Sequence, residues 1–224
     1  MRKFALTVTC LSVLSALVFG GVGNAAMLSF MDEVALQPTN WDETLSISKF
    51  NPSLGTLNSI KYTLDGRVEG SAKYENLDAS AATITLDLEA QITLQKPDGS
   101  LLVQVFPLAQ VNDNAGAFDG TIDFGGTSGA TFDNLMGEDS DSITSSNILD
   151  LILFTGEGSI DLPIVAVGLS SGTGAGNLIT QFKTDALAKV TVEYDYTPVP
   201  IPAGLWLLGT GLVGLWGLKR KKRV

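Results

Sequence analysis

Between Thr83 and Gln95 the chain alternates apolar and polar residues without a slip: Ile84, Leu86, Leu88, Ala90, Ile92 and Leu94 form one row, the polar residues the other. A period of two is that of a strand with one buried face, and a helix cannot bury such a row. The run is long enough to bend or to break in two. Lys96-Pro97-Asp98-Gly99-Ser100 follows with turn chemistry, since Pro pre-sets φ and Gly tolerates positive φ. The run from Leu101 to Val111 is then expected to return as a hairpin partner.

The same alternation marks Ile60, Tyr62, Leu64 and Val68, and again Ala186, Ala188, Val190, Val192, Tyr194 and Tyr196. Ile148 to Phe154 and Ile160 to Leu169 alternate less strictly and read as strands buried on both faces. Short strands parted by Gly, Asn, Asp and Ser clusters, with little helical periodicity and no internal repeat, predict an all-β fold: a β-sandwich of jelly-roll or related topology. Phe132 to Asn147 reads as one short helix or a long acidic loop.

Both ends depart from this pattern. Arg2-Lys3, the apolar run Phe4 to Phe19 and the small residues Gly21 to Ala26 have the three-part layout of a secretory leader, with cleavage expected after Ala25 or Ala26. Cys10, the single cysteine, lies inside that leader, so the exported chain is expected to fold without a disulfide. At the other end Pro198-Val199-Pro200-Ile201-Pro202 breaks the chain before an apolar run from Ala203 to Leu218 and the cations Lys219, Arg220, Lys221, Lys222 and Arg223. Counted from Val199, the apolar stretch just spans a hydrocarbon core of about 30 Å, with Trp206 and Trp216 as interfacial residues and the cations held on the cytoplasmic side. The chain thus divides into a signal peptide (1–26), an ectodomain (27–197) and a C-terminal sorting segment (198–224).

Pro200-Ile201-Pro202, the apolar segment with Gly209, Gly211, Gly214 and Gly217, and the terminal basic cluster together resemble the PEP-CTERM sorting signal of Gram-negative bacteria. Ile201 stands where that signal usually has Glu. The resemblance implies passage through the Sec translocon, a transient stay in the inner membrane, and processing by an exosortase, a membrane-embedded cysteine peptidase or transpeptidase, usually in organisms that make exopolysaccharide. A single-pass anchor that is never cut is the other reading of the same tail. Within the ectodomain, Phe50 to Leu57, Tyr74 to Ala79 and Phe118 to Gly129 resemble the choice-of-anchor E domain, which implies a secreted domain and no particular activity.

Of the 14 cations 2 lie in the leader and 5 in the tail; all 24 acidic residues lie in the ectodomain, whose net charge is therefore 7 − 24 = −17. Such a domain repels nucleic acid and anionic lipid. With no histidine, and no cysteine outside the leader, Ser-His-Asp triads, Cys-His dyads, thiolate catalysis and His- or Cys-ligated metal sites are excluded within this chain. Carboxylate chemistry remains. Glu69, Glu75, Glu89, Glu157 and Glu193 are the glutamates open to a paired-carboxylate glycosidase, although Glu89 and Glu193 take outward strand positions. Calcium is the ligand that hard oxygen donors would take, with Asp113, Asp119, Asp123, Asp139 and Asp141 in two loop regions as candidate ligands, yet none has EF-hand spacing and all suit ordinary turns. Gly172 to Gly176 lacks the lysine of a phosphate loop, and Gly209 to Gly214 matches GxGxxG only within the apolar tail. The expectation is a non-enzymatic surface or matrix protein without a resident cofactor; the alternative is a secreted carbohydrate-active hydrolase.

Overall fold

The computed structural model describes residues 25–199. The leader up to residue 24, the sorting motif Pro200-Ile201-Pro202, the apolar segment Ala203 to Leu218 and the basic residues Lys219 to Arg223 lie outside the described residues. Along the chain run β1 (Ala26–Pro38), β2 (Trp41–Ser48), β3 (Gly55–Asn76), β4 (Ala82–Gln95), β5 (Leu101–Val105), β6 (Leu108–Ala115), β7 (Gly129–Ser145), the helix α1 (Ile148–Leu153), β8 (Ser159–Gly168), β9 (Ser171–Thr173) and β10 (Leu178–Pro198).

These strands form an antiparallel β-sandwich. One sheet has the order β1-β10-β3-β7; the other has β2-β8-β4-β5, with β6 and β9 also paired to β4. β4 is the alternating run, and its row from Ile84 to Leu94 is buried throughout. It stays continuous while its partners change: β6 and β9 pair with its first half, β5 and β8 with its second. The expected hairpin forms across Lys96–Ser100, where Gly99 has φ 82° and its N–H bonds Lys96 O at 2.9 Å. Its return strand breaks at Phe106-Pro107, because proline has no N–H for the ladder; Pro107 O instead accepts Ala90 N–H.

β3 and β10 pair from Gly55↔Pro198 to Asn76↔Leu178 and form the centre of the other sheet. Their inward rows, Ile60, Tyr62, Leu64 and Val68 on β3 and Ala186, Ala188, Val190, Val192 and Tyr194 on β10, are fully buried. Two apolar clusters fill the space between the sheets. The larger joins these rows to Ala90, Ile92 and Leu94 of β4 and to β2, β5 and β8; the smaller holds Ala72, Tyr74, Ile84, Leu86 and Ala115. The sheets close along one side where β7 meets β6, so tightly that a Cβ on Gly137 would lie 2.2 Å from the backbone of Leu108.

Three sequence expectations are corrected. Phe132 to Asn147 lies almost wholly in strand β7, being neither helix nor loop. Its inward row, opposite Tyr62, Leu64, Gly66 and Val68, reads Ile143, Asp141, Asp139 and Gly137, so alternation is hidden. Charges in the inward row of an edge strand discourage pairing with another chain. Ile148 to Leu153, expected as a strand, is the helix: Asn147 Oδ1 caps it by accepting Leu149 N–H at 2.9 Å, and Asp150 turns inward to Lys96 and Ser145. The third run, β8, is buried on one face only, with Ile160, Leu162, Ile164 and Ala166 inside and Val167 exposed.

The described chain enters and leaves at one end of the sandwich. Ala26 pairs with Tyr196, and Val199 N–H bonds Leu54 O at 3.0 Å. The same end carries the β2–β3 connection with its 3-10 turn Pro52–Leu54, the β4–β5 turn and α1. Phe50 knits these together: its N–H bonds Phe154 O at 2.8 Å, its carbonyl accepts Gly156 N–H, and its ring lies 5.1 Å from Tyr196.

Ile92, fully buried between the sheets, tests this packing. Ile92→Ala should cost about 2–5 kcal/mol in urea unfolding, while Val167→Ala, on the exposed face, should change stability by less than about 0.5 kcal/mol.

Candidate functional site

The carboxylates nominated from sequence are dispersed. Glu69 pairs with Arg67 and Glu193 with Lys61 at 3.1 Å, both on the outer face of the β3–β10 sheet. Glu193 lies opposite Lys61 in register, so eight residues of β3, roughly 26 Å, part it from Glu69. That far exceeds the roughly 5–9.5 Å that separates the two carboxyls of a glycosidase. Glu89 lies on β4 and Glu157 in the exposed loop after α1.

Glu75 is the exception. It occupies an outward position of β3, yet residues 116–128 fold over it and bury it completely. Its Oε1 accepts the Ser128 hydroxyl at 2.5 Å and its Oε2 accepts Phe124 N–H at 2.8 Å. Gly129 leaves room for it, since a Cβ there would lie 2.4 Å from Oε2. Next to it the buried Asn76 donates to Ser80 O and Gly116 O and accepts Asp78 N–H at 3.0 Å, while Asp78 Oδ2 accepts Gly176 N–H at 2.7 Å. The Glu75 side chain is tolerable inside because both its oxygens accept a fixed donor, and the Asn76 amide beside it is satisfied on both its N and its O. The segments Tyr74–Ala79 and Phe118–Gly129, far apart in sequence, are thereby bound into one knot at the end opposite α1.

The five aspartates considered for calcium do not converge. Asp113 sits in strand β6 and accepts the Tyr74 hydroxyl at 2.8 Å; Asp139 and Asp141 sit in strand β7, where Asp139 accepts Phe106 N–H at 2.7 Å and Asp141 accepts Ser142 N–H. Asp119 and Asp123 lie in the loop over Glu75 and brace its turns. Asp119 accepts the N–H and hydroxyl of Thr121, which hold its carboxyl below the usual carboxylate range, and Asp123 accepts Gly125 N–H. Of the five, only Asp119 and Asp123 lie in a loop; Asp113, Asp139 and Asp141 lie in strands. Among the described residues no group of three or more acidic side chains is placed to hold a metal ion.

A shallow concavity of about 590 Å³ opens on the outer face across β3, β7 and β10, lined by Asp65, Arg67, Glu138, Ser140, Leu187 and Lys189 among others. Arg67 lies between Glu69 and Glu138, and Asp65 accepts the Ser140 hydroxyl at 2.6 Å. Its acids are thus set among cations, a charge-mixed surface without the enclosed apolar wall that would desolvate a reacting group.

A second polar cluster lies beneath α1. Asp150 accepts Lys96 Nζ at 2.5 Å and the Ser145 hydroxyl at 2.6 Å. Burial pushes its carboxyl up, but these hydrogen bonds and the Lys96 charge pull harder, and the net effect is below the usual carboxylate range. Nearby, burial foremost and then Asp150 push the Tyr62 hydroxyl far above the usual tyrosine value. Sequence alone gave no sign of this cluster, because Lys96 reads as part of a turn and Asp150 as an interruption in an apolar run. Trp41 is a buried core residue at the start of β2 and has no free ring face for stacking on a sugar.

No family model matches the chain, and no curated protein does. Among solved structures, one of infectious bursal disease virus Gx strain aligns over 98% of this chain at 11% identity with a TM-score of 0.17, and the chain spans 55% of that protein. Empty-head turnip yellow mosaic virus aligns over 87% of this chain and 92% of its own at 13% identity, TM-score 0.19. Scores so low carry no argument about this chain.

Two substitutions probe the polar clusters. Glu75→Gln keeps the shape but gives one of its two donors a competing donor, so it should cost about 1–3 kcal/mol and speed hydrogen exchange at Phe124. Lys96→Met strips the buried Asp150 of its cation and should cost about 1–3 kcal/mol at neutral pH. Because the folded pKa of Asp150 is depressed, its contribution is present above the unfolded value of roughly 4 and is lost as pH falls through the folded value. Chemical denaturation from pH 7 to pH 2 should therefore show the gap between wild type and Lys96→Met narrowing below about pH 4.

Proposed function

We propose that the chain is an exported, non-enzymatic cell-surface or extracellular-matrix protein, sorted by its C-terminal segment. In this reading the Sec translocon exports it and residues 1–26 are removed. The segment Ala203 to Leu218 holds the precursor in the inner membrane, and an exosortase cuts near Pro200-Ile201-Pro202. What is released is an acidic sandwich of jelly-roll topology, associated with exopolysaccharide or biofilm matrix and not with nucleic acid. The strand order favours the jelly roll: with β5 and β6 counted as one broken strand and β8 and β9 as another, the sheets read 1-8-3-6 and 2-7-4-5.

The observation that carries this reading is the placement of the chain's exits. Ala26, at the expected cleavage site, pairs with Tyr196, and Val199 is fastened to Leu54, so leader and tail attach to the same end of a sandwich that closes its core without either. Such a body can be carried on a removable tail. The dispersal of Glu69 and Glu193 and the enclosure of Glu75 weigh against the hydrolase alternative.

Intact-mass measurement of the protein secreted by its native host tests both ends at once. The mature species should begin at Ala26 or Met27 and lack everything from Ala203 onward. Recovery of the intact basic tail in extracellular material would defeat the processing step.

A further inference from the structure

The end of the sandwich from which the tail departs is also its most apolar end. On α1, Ile148, Leu149 and Ile152 are 65%, 70% and 64% exposed. Ile148 and Ile152 stand one helical turn apart on one face, with Leu149 beside them. Leu54, Leu101, Met27 and Val199, at the same end, are exposed as well. The sequence does not need apolar residues there for packing: the inward side of α1 is served by Leu151, Leu153 and the Asp150–Lys96 pair.

Tether length decides what this end meets. Val199 is held against Leu54, and the apolar run begins at Ala203. Four residues of fully extended chain reach about 14 Å, less than the length of one ordinary strand. If Ala203 to Leu218 lies in a bilayer, this end cannot leave the headgroup region, and the lipid surface is present at high effective concentration. Charge agrees with the placement. The loops at this end (49–54, 96–100, 146–158) carry Lys49 and Lys96 against Asp98, Asp150 and Glu157, a sum of −1. Those at the far end (77–81, 116–128, 174–177) carry Asp78, Asp119 and Asp123 with no cation, a sum of −3. The end nearest the membrane is the one anionic lipid repels less.

We propose that, in the tail-bearing precursor, the α1 end of the sandwich rests on the bilayer, with Ile148, Leu149 and Ile152 inserted at the headgroup level. The proposal rests on the reading of Ala203 to Leu218 as a membrane segment. Three apolar side chains on a short helix are a weak anchor alone and become an orienting contact once the tail has already brought them to the surface. The contact stands the sandwich on end, so that its acidic loops face away and the Pro200-Ile201-Pro202 segment begins at the membrane surface.

The tail-bearing chain after leader removal (residues 27–224), which has no cysteine of its own, reconstituted in phosphatidylethanolamine–phosphatidylglycerol vesicles, offers a direct test. Single cysteines placed at Leu149, at Thr121 in the far loop and at Leu212 in the tail are labelled with an environment-sensitive fluorophore, and brominated lipids are then used as quenchers. The expected result is a blue shift and quenching at positions 149 and 212 and neither at 121. Quenching at 212 without quenching at 149 would overturn the proposal while leaving the membrane reading of the tail intact. No quenching at either would refute both. A blue shift at 149 that bromine does not quench, dependent on the protein-to-lipid ratio, would assign the patch to a second copy of the chain; the same shift independent of that ratio would assign it to the tail itself. Either result refutes lipid contact.

Discussion

The pairing of β3 with β10 is the constraint on which the rest of the structure depends. These two strands run side by side from Gly55 and Pro198 at one end to Asn76 and Leu178 at the other, and they line both apolar clusters. β1 hangs on β10 and β7 on β3, so the outer strands of that sheet have no pairing independent of the central two. The opposite sheet is organised in the same way around β4, whose unbroken inward row faces β3 and β10 while its partners change halfway along. The sandwich is two long continuous surfaces pressed together, with the shorter strands fitted round them.

Each end of those surfaces is finished differently. At one end Glu75 accepts from Phe124 N–H and the Ser128 hydroxyl while Asn76 donates to Ser80 O and Gly116 O, and the two fasten the glycine-rich loop over the sheet. At the other, a single ion pair between Lys96 and Asp150 holds α1 against the β4–β5 turn, and Phe50 joins that helix to the departing chain. Buried polar groups of this kind contribute little net stability when fully satisfied, but they allow one arrangement of the loops and penalise others.

Much of this was legible in the sequence, for a physical reason: central strands buried on one face must alternate, so Ile60 to Val68, Ile84 to Leu94 and Ala186 to Tyr196 declared themselves. Edge strands need not. β7 places Asp139 and Asp141 in its inward row, where on an edge strand both stay exposed and Asp139 accepts Phe106 N–H, and its Asn134 sits at φ 58° in an irregularity opposite Gly70–Ala72. Both features erase the period of two. α1 reads as a strand in the sequence because six residues are too few to show a helical period, and its conformation is set by the Asn147 cap and by Lys96, more than fifty residues away. The oxygen-rich loops looked like ligand sites because aspartates that brace turns and aspartates that bind cations share one composition. Only their hydrogen bonds tell them apart.

The β3–β10 register has a consequence for how the chain can fold. Gly55 and Pro198 meet although nearly the whole domain lies between them in sequence. Until β10 is available, β1 has no strand to pair with and β3 pairs with β7 alone, so the sheet that covers half the core stays incomplete. Contacts this distant in sequence make for slow, all-or-none acquisition of the native state. If the chain crosses a membrane amino end first, the strand that completes the sheet is the last to arrive, and folding waits on the final stretch of polypeptide. A chain cut short before Leu178 would lose more than its last strand: it would leave two sticky faces with nothing to close them, a form destined for aggregation or proteolysis.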